Sequence, residues 1–332
     1  MKKRILLLLL CCILLAGCKN KKDVDILKNL SSKINNLNSY NLKGDLEIIN
    51  GEDMYIYDVE VSYEKEDKFK IYLNNTNNNH TQILLKNPEG VYVLTPSLNK
   101  SFKFQSEWPY NNSQIYLYQT ILKDIEQDEK RIIEKNQNGY IITSKVNFLN
   151  NKELIKQKVY IDNNMNINKI EVLDENNQPK MIMTFTSIDL KPTFDSDYFS
   201  LNKNIKESSK TEETVKQVSK IETINYPLYL PANTHLKGQN VINKEDGERV
   251  ILTFEGDKSF MLIQETSTIK ETPETIPVYG EPTRISDTLG ILSDKSISWN
   301  ENGIDYYITS SDLTEEELVN IASSITVLPV SK

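Results

Sequence analysis

The sequence predicts an α+β protein: a long antiparallel sheet that packs helices, followed by a smaller α+β unit. Three features carry this expectation. Between residues 54 and 189 most of the chain reads as short segments in which apolar and polar side chains alternate, bounded by turn formers, the period of a half-buried strand. Two segments break that rhythm with apolar residues three and four apart, the spacing of a helix face. A polar, aromatic-free stretch at 202–220 then divides the chain, with the composition of a solvated linker or an exposed helix.

The chain opens with Lys2, Lys3 and Arg4 and an apolar run from Ile5 to Ala16, the basic and apolar parts of an export signal. That run is too short to span a bilayer. It closes with Leu15, Ala16, Gly17 and Cys18, which resembles the lipobox of bacterial lipoproteins. A thiolate is a strong nucleophile near neutral pH. Cys18 is therefore expected to take a diacylglyceryl, palmitate-type anchor, with cleavage between Gly17 and Cys18. An ordinary secretory signal is the alternative, because Cys11 and Cys12 show that the run tolerates cysteine. Residues 1–17 are read as signal peptide and 18–22 as a lipidated tether. The chain is then expected on the outer side of the cell membrane or on a spore membrane.

Loss of the signal leaves 36 basic against 47 acidic residues, a net charge of −11, and Cys18 as the sole cysteine. A disulfide framework, a cysteine nucleophile and a thiolate metal site are thereby excluded. An acidic chain is a poor nucleic-acid binder. It is also a poor binder of anionic lipid by charge, so membrane attachment would rest on the acyl chains.

A first helix is predicted over 23–40, with Leu27, Leu30, Ile34 and Leu37 on one face. Strands follow at 54–65, where Val59, Val61 and Tyr63 share a face, and at 67–73, where Phe69, Ile71 and Leu73 do. Further strands are expected at 81–86, 90–95 and 100–104. The Asn-rich run at 74–80 reads as turn chemistry, since Asn tolerates positive φ. The segment 106–129, with Ile115, Tyr118, Leu122 and Ile125, is predicted as one helix. Strands resume at 139–146, 154–162, 167–174 and 180–189, and the half closes with "KPTFDSDYFSL" at 191–201. Beyond the polar stretch, segments at 226–234, 247–256 and 258–266 and a hairpin at 296–310 turning on Asn302-Gly303 build the second unit. Thr314 with Glu317 predicts a capping box for a last helix facing Leu318, Ile321 and Ile325 inward, with Pro329 ending it.

A leading helix, a run of antiparallel strands, an inserted helix and the closing "FDSDYFSL" resemble the LolA-like fold, in which a curved half-barrel sheet wraps helices. With the lipobox and a C-terminal α+β domain, the whole resembles sporulation and germination lipoproteins of spore-forming Gram-positive bacteria. Residues 91–125, "VYVLTPSLNKSFKFQSEWPYNNSQIYLYQTILKDI", resemble the GerS-type germination lipoproteins. The resemblance implies a LolA-like domain at 23–201, a charged linker at 202–222 and a small α+β domain at 223–328. It also implies a partner, because GerS-type proteins bind and activate an N-acetylmuramoyl-L-alanine amidase. GerS-type proteins lack the second domain, and two-domain relatives include envelope-stress sensors. The LolA-like groove suits a second role, holding an acyl chain or other apolar ligand.

No catalytic residue and no cofactor are expected. The two histidines, His80 in the Asn-rich turn and His235 after a Pro-led strand, do not stand at metal-ligand spacing. No G-x-S-x-G elbow or P-loop is present. Carboxylate groups such as Asp195 with Asp197, or Glu315 to Glu317, could flank a glycosidic bond. The glutamates, however, open a helix, where the dipole favours negative charge, and the aspartates sit in a polar turn. Trp108, Tyr110 and Tyr116 are the candidate partner-binding residues. As an exposed anchor they would hold a partner. Trp108 packed on the core where the helix begins is the other reading.

Overall fold

The computed structural model describes residues 21–51, 53–211 and 218–326. Gly17, Cys18 and Pro329 lie outside them. Helix α1 (Lys21–Asn35) buries Leu30 and Ile34, with Leu27 and Leu37 half-buried beside them. The helix expected to reach Tyr40 stops short, because Ser39 already begins strand β1 (Ser39–Asn50).

From there the chain runs as a meander through β2 (Asp53–Glu64), β3 (Lys68–Asn75), β4 (His80–Asn87), β5 (Gly90–Thr95) and β6 (Lys100–Phe104). A 3-10 turn at Pro96–Leu98 joins β5 to β6. Helix α2 (Tyr118–Gln127) follows, then β7 (Ile132–Asn136), β8 (Gly139–Lys145), β9 (Lys156–Asp162), β10 (Ile167–Leu173) and β11 (Pro179–Asp189). Strand β11 returns to pair with β1, giving one open sheet in the order β6-β5-β4-β3-β2-β1-β11-β10-β9-β8-β7. This is the expected α+β arrangement, an open antiparallel sheet packed on helices.

Alternation dictates which face is buried. In β3, Phe69, Ile71 and Leu73 are buried while Lys70 and Tyr72 are not, so a slip of one residue would turn three core side chains outward. Each contributes about 1.5–3 kcal/mol by leaving water. On the concave face these residues meet Leu30, Ile34, Leu117, Ile121 and Ile125 in one core. At Gly44 the β1–β11 register shifts, and a Cβ there would lie 2.1 Å from the Thr184 carbonyl oxygen. Only glycine admits that approach.

The helix expected over 106–129 is confined to α2. Pro109 and the polar Asn111-Asn112-Ser113 run hold the preceding residues in turns, and Leu117 is still extended (φ −108°, ψ 117°). Inside the stretch read as linker or exposed helix, α3 (Leu201–Thr211) forms. Its Leu201 and Ile205, with Phe194, Tyr198 and Phe199, pack on Ile83, Leu85, Tyr92 and Leu94 from the opposite face of the sheet. Covered on both sides, β5 carries near-continuous apolar sequence and β4 is buried without a break from Thr81 to Leu85.

The second unit begins with β12 (Tyr226–Pro227), the edge strand β13 (His235–Lys244), β14 (Gly247–Glu255) and β15 (Phe260–Thr266). After β16 (Glu274–Val278) come β17 (Glu281–Ile285), β18 (Thr288–Ser293), β19 (Ser296–Glu301) and β20 (Ile304–Thr309). Helix α4 (Glu315–Ser323) and β21 (Ile325–Thr326), paired with β12, complete it. Seven strands form a sheet in the order β13-β14-β15-β20-β19-β18-β17. Its core includes stacked pairs, Phe254 on Phe260 and Trp299 on Tyr306. The capping box is present: Thr314 Oγ1 accepts from the Glu317 N–H and Glu317 accepts from the Thr314 N–H. Asn302 (φ 51°) and Gly303 (φ 78°) make the expected turn, with positive φ at both central positions.

Packing crosses the compositional divide at 202–222. Strand β16 leaves the second unit and lies parallel to β6, pairing Glu274 to Val278 with Lys100 to Phe104 and becoming the twelfth strand of the first sheet.

Candidate functional site

Hydrogen bonds join the two sheets beside this shared strand. The β18–β19 ladder runs over Ile291–Ser293. Ahead of it, the side chain of Gln82 on β4 substitutes for a strand: Nε2 donates to the Leu289 carbonyl (3.0 Å) and Oε1 accepts from the Leu289 N–H (2.7 Å). Thr288 donates to the same oxygen (3.2 Å). Further out, Asn111 donates to Glu281 (2.7 Å) and the Arg284 guanidinium lies over the Tyr57 ring (5.2 Å).

Next to the Gln82 joint lies a cleft of about 720 Å³ whose walls are hairpin tips from both sheets. One wall is the β3–β4 turn that the Asn-rich run supplies. There Asn75 and Asn78 accept from the backbone N–H groups two residues ahead, each at 2.9 Å, and Asn79 takes φ 56°. Asn favours such turns because its short amide mimics the backbone. The same two residues also donate across the cleft to Asp287 Oδ2, at 3.1 and 3.0 Å. Asp287 sits in the β17–β18 turn after Ser286, which has φ 48°. The β19–β20 turn brings Glu301 and Asn302, and α3 brings Asn204.

Burial sets the electrostatics. It raises the Asp287 carboxyl above its ordinary range. Burial, with the Asp287 charge adding to it, pushes Glu301 up to about 7. Burial holds His80 below the usual imidazole range, so the ring is neutral at neutral pH. Lys70 is engaged with Glu207 (3.9 Å) and lies 4.5 Å from the centre of the Tyr198 ring. Among the described residues no group of three or more His, Cys, Asp or Glu is placed to hold a metal ion. A cofactor-sized polar molecule would find amides, carboxyls and one neutral imidazole here.

The sequence-predicted aromatics lie elsewhere, and two of them are not surface anchors. Trp108 is 2% exposed and Tyr116 3% exposed. The Trp108 ring meets Phe69 edge-on (6.1 Å), and the Tyr116 hydroxyl donates to Gln114 (2.9 Å) with burial pushing it up to about 12. Both are core because the turns before α2 fold back onto β3. Tyr110 alone is half-buried, its hydroxyl donating to Asp67 (2.7 Å) and its ring under Lys86 (5.1 Å). Asp195, Asp197, Glu316 and Glu317, among the carboxylates considered for chemistry, have structural partners, Glu316 pairing with Lys152. Lys203 bridges Asp195 (3.3 Å) and Asp197 (2.8 Å), and Glu317 serves the α4 cap and Lys258. His235 opens β13 at the surface, away from His80. Sequence reading saw the Asn run and His80 as a turn. It missed Asn204, Asp287 and Glu301, which stand more than 120 positions further along the chain.

Residues 226–325 match the profile of a family described as a domain of unknown function, DUF4367. Over 314 residues, covering 94% of this chain and 93% of the relative, the sequence is 36% identical to sporulation protein YdcC of Bacillus subtilis (strain 168). Among solved structures, MucB is similar with a TM-score of 0.35 and 12% identity, over 94% of this chain and 100% of that one. The CwlD amidase of Clostridioides difficile in complex with the GerS lipoprotein gives 0.23 and 19%, over 53% of this chain and 98% of that one.

Proposed function

The chain belongs to the family of sporulation protein YdcC, and from that premise we propose that it acts in sporulation as a non-enzymatic lipoprotein, held on the outer face of a membrane through Cys18, that binds and activates a cell-wall amidase. The whole-length match to a sporulation protein carries the reading. The amidase is supported by the likeness of residues 91–125 to GerS-type lipoproteins, which includes β5, β6 and most of α2. GerS itself is a lipoprotein seen in complex with the CwlD amidase. Within that segment Tyr110 is the aromatic among the three candidates that reaches the surface. A tether contributes by raising the local concentration of whatever the protein binds.

Carriage of an acyl chain in the concave face is the weaker reading, since Leu30, Leu117, Ile121 and Ile125 already fill the sheet there. The test mixes residues 19–332 with the N-acetylmuramoyl-L-alanine amidase of the same organism and follows co-elution and peptidoglycan hydrolysis. A complex with raised hydrolysis, and no hydrolysis by the lipoprotein alone, is expected. Absence of a complex, together with stoichiometric lipid in an organic extract, overturns the proposal in favour of carriage.

A further inference from the structure

The cleft beside the Gln82 joint holds buried polar atoms that the fold itself does not satisfy. Asn204 is 1% exposed, and its Nδ2 is spent on the carbonyls of Tyr198 (2.9 Å) and Ser200 (2.8 Å), while Oδ1 has no partner among the described residues. Asp287 is 8% exposed; Oδ2 takes both asparagine amides, and among the described residues Oδ1 has no partner outside its own residue. His80 Nε2 is buried and has no partner among the described residues. All three residues line the same cleft. Leaving a buried polar group unpaired costs about 1–3 kcal/mol, so three converging on one cavity mark a place built to be filled.

Their chemistry narrows what fills it. Asn204 Oδ1 and Asp287 Oδ1 are acceptors and ask for donors. An anion is disfavoured, since Asp287, Glu207 and Glu301 line the cleft and its one lysine, Lys70, already faces Glu207 and the Tyr198 ring. A metal cation is also poorly served, because among the described residues no three carboxylate or imidazole groups converge to hold one. Asparagine amides, which donate and accept at once, line much of the remainder, and Tyr72, Ile83 and Leu98 add apolar surface. The volume lies within the range of small-molecule sites.

We propose that this cleft binds a neutral, hydroxyl-rich ligand bearing amide groups, the chemistry of an N-acetylated amino-sugar oligomer. The hydroxyls donate to Asn204 Oδ1 and Asp287 Oδ1, His80 Nε2 pairs with a further hydroxyl, and the asparagine amides of the hairpin tips meet acetamido groups. Both sheets contribute to the contact, so the ligand bridges the joint between the two units. The inference does not depend on an amidase partner.

Titration of residues 19–332 with tri-N-acetylchitotriose by isothermal calorimetry tests it. Saturable binding with one site is expected. His80→Phe should weaken binding at least tenfold while the melting temperature holds or rises, because an unpaired buried nitrogen is removed. Ser97→Trp, which fills the cleft from the 3-10 turn and leaves the three unpaired atoms in place, should abolish binding and provides a second route if His80→Phe does not fold. No saturable heat, or binding that survives Ser97→Trp in the folded protein, overturns the proposal.

Discussion

Replacement of Gln82 by leucine should uncouple the two units. The side chain is buried, and its amide satisfies both backbone groups of Leu289. Thr288 loses little, because its hydroxyl also reaches the Asn300 carbonyl (3.3 Å). The leucine variant keeps the volume and strands one N–H and one C=O in a dry interface. At about 1–3 kcal/mol for each orphaned group, less the gain from burying an apolar side chain, the expected cost is about 2–4 kcal/mol. The chain's two tryptophans provide the readout, Trp108 in the core of the first unit and Trp299 in that of the second. In urea, single-tryptophan chains made with Trp108→Phe or Trp299→Phe should unfold together when Gln82 is present and at separate midpoints in the leucine variant. Gln137→Leu, at an exposed turn, is the control and should shift stability by less than about 0.5 kcal/mol. Coincident transitions and a shift no larger than the control's would refute the claim that Gln82 carries the joint.

Trp108→Ala should cost about 3–5 kcal/mol as a core truncation; unchanged stability with weakened amidase binding would restore the exposed-anchor reading. Glu301 is pushed by burial, with the Asp287 charge adding to it, up to a pKa of about 7 in the folded protein, above the ordinary 4.5. Its contribution is therefore fully present below pH about 4.5 and lost as pH rises through about 7. Stability differences between Glu301→Gln and wild type, measured from pH 5 to pH 8, should grow in favour of the variant as pH rises, and a flat difference would show that burial there is relieved by solvent. Cys18→Ser should yield a chain without lipid, and mass spectrometry of the wild-type amino terminus should find an acylated Cys18; an unmodified terminus rules out the anchor.

Strands β2 to β6 were legible because their apolar residues alternate against one core. β1 was hidden by Gly44, which interrupts the buried series Tyr40, Leu42, Leu46 and Ile48 where the backbone of β11 approaches. β13 was illegible for the opposite reason: an edge strand exposed at every position carries no pattern for burial to impose. Strands β16 and β17 contain Pro277 and Pro282, with Gly280 between them, residues that mark turns in a sequence, and a proline is tolerated in each because both strands lie at a sheet edge. The cleft was half legible. Asn74 to His80 announce a turn, but what the turn faces depends on a tertiary contact with Asp287 that no local period encodes.

The parallel pairing of β16 with β6 imposes an order on how the chain acquires its shape. Thr275 lies 174 positions after Ser101, so a polypeptide emerging amino-terminus first completes β6 long before its neighbour exists. Throughout that interval the row of backbone groups on the far side of β6 is unpaired, with Phe102 and Phe104 on the same strand, an open template for a strand from another molecule. Distant pairings of this kind close late and slowly. A nascent chain cut off near residue 201 would keep every strand of the meander and still have an adhesive margin, so the carboxy-terminal unit acts as the built-in guardian of the amino-terminal one.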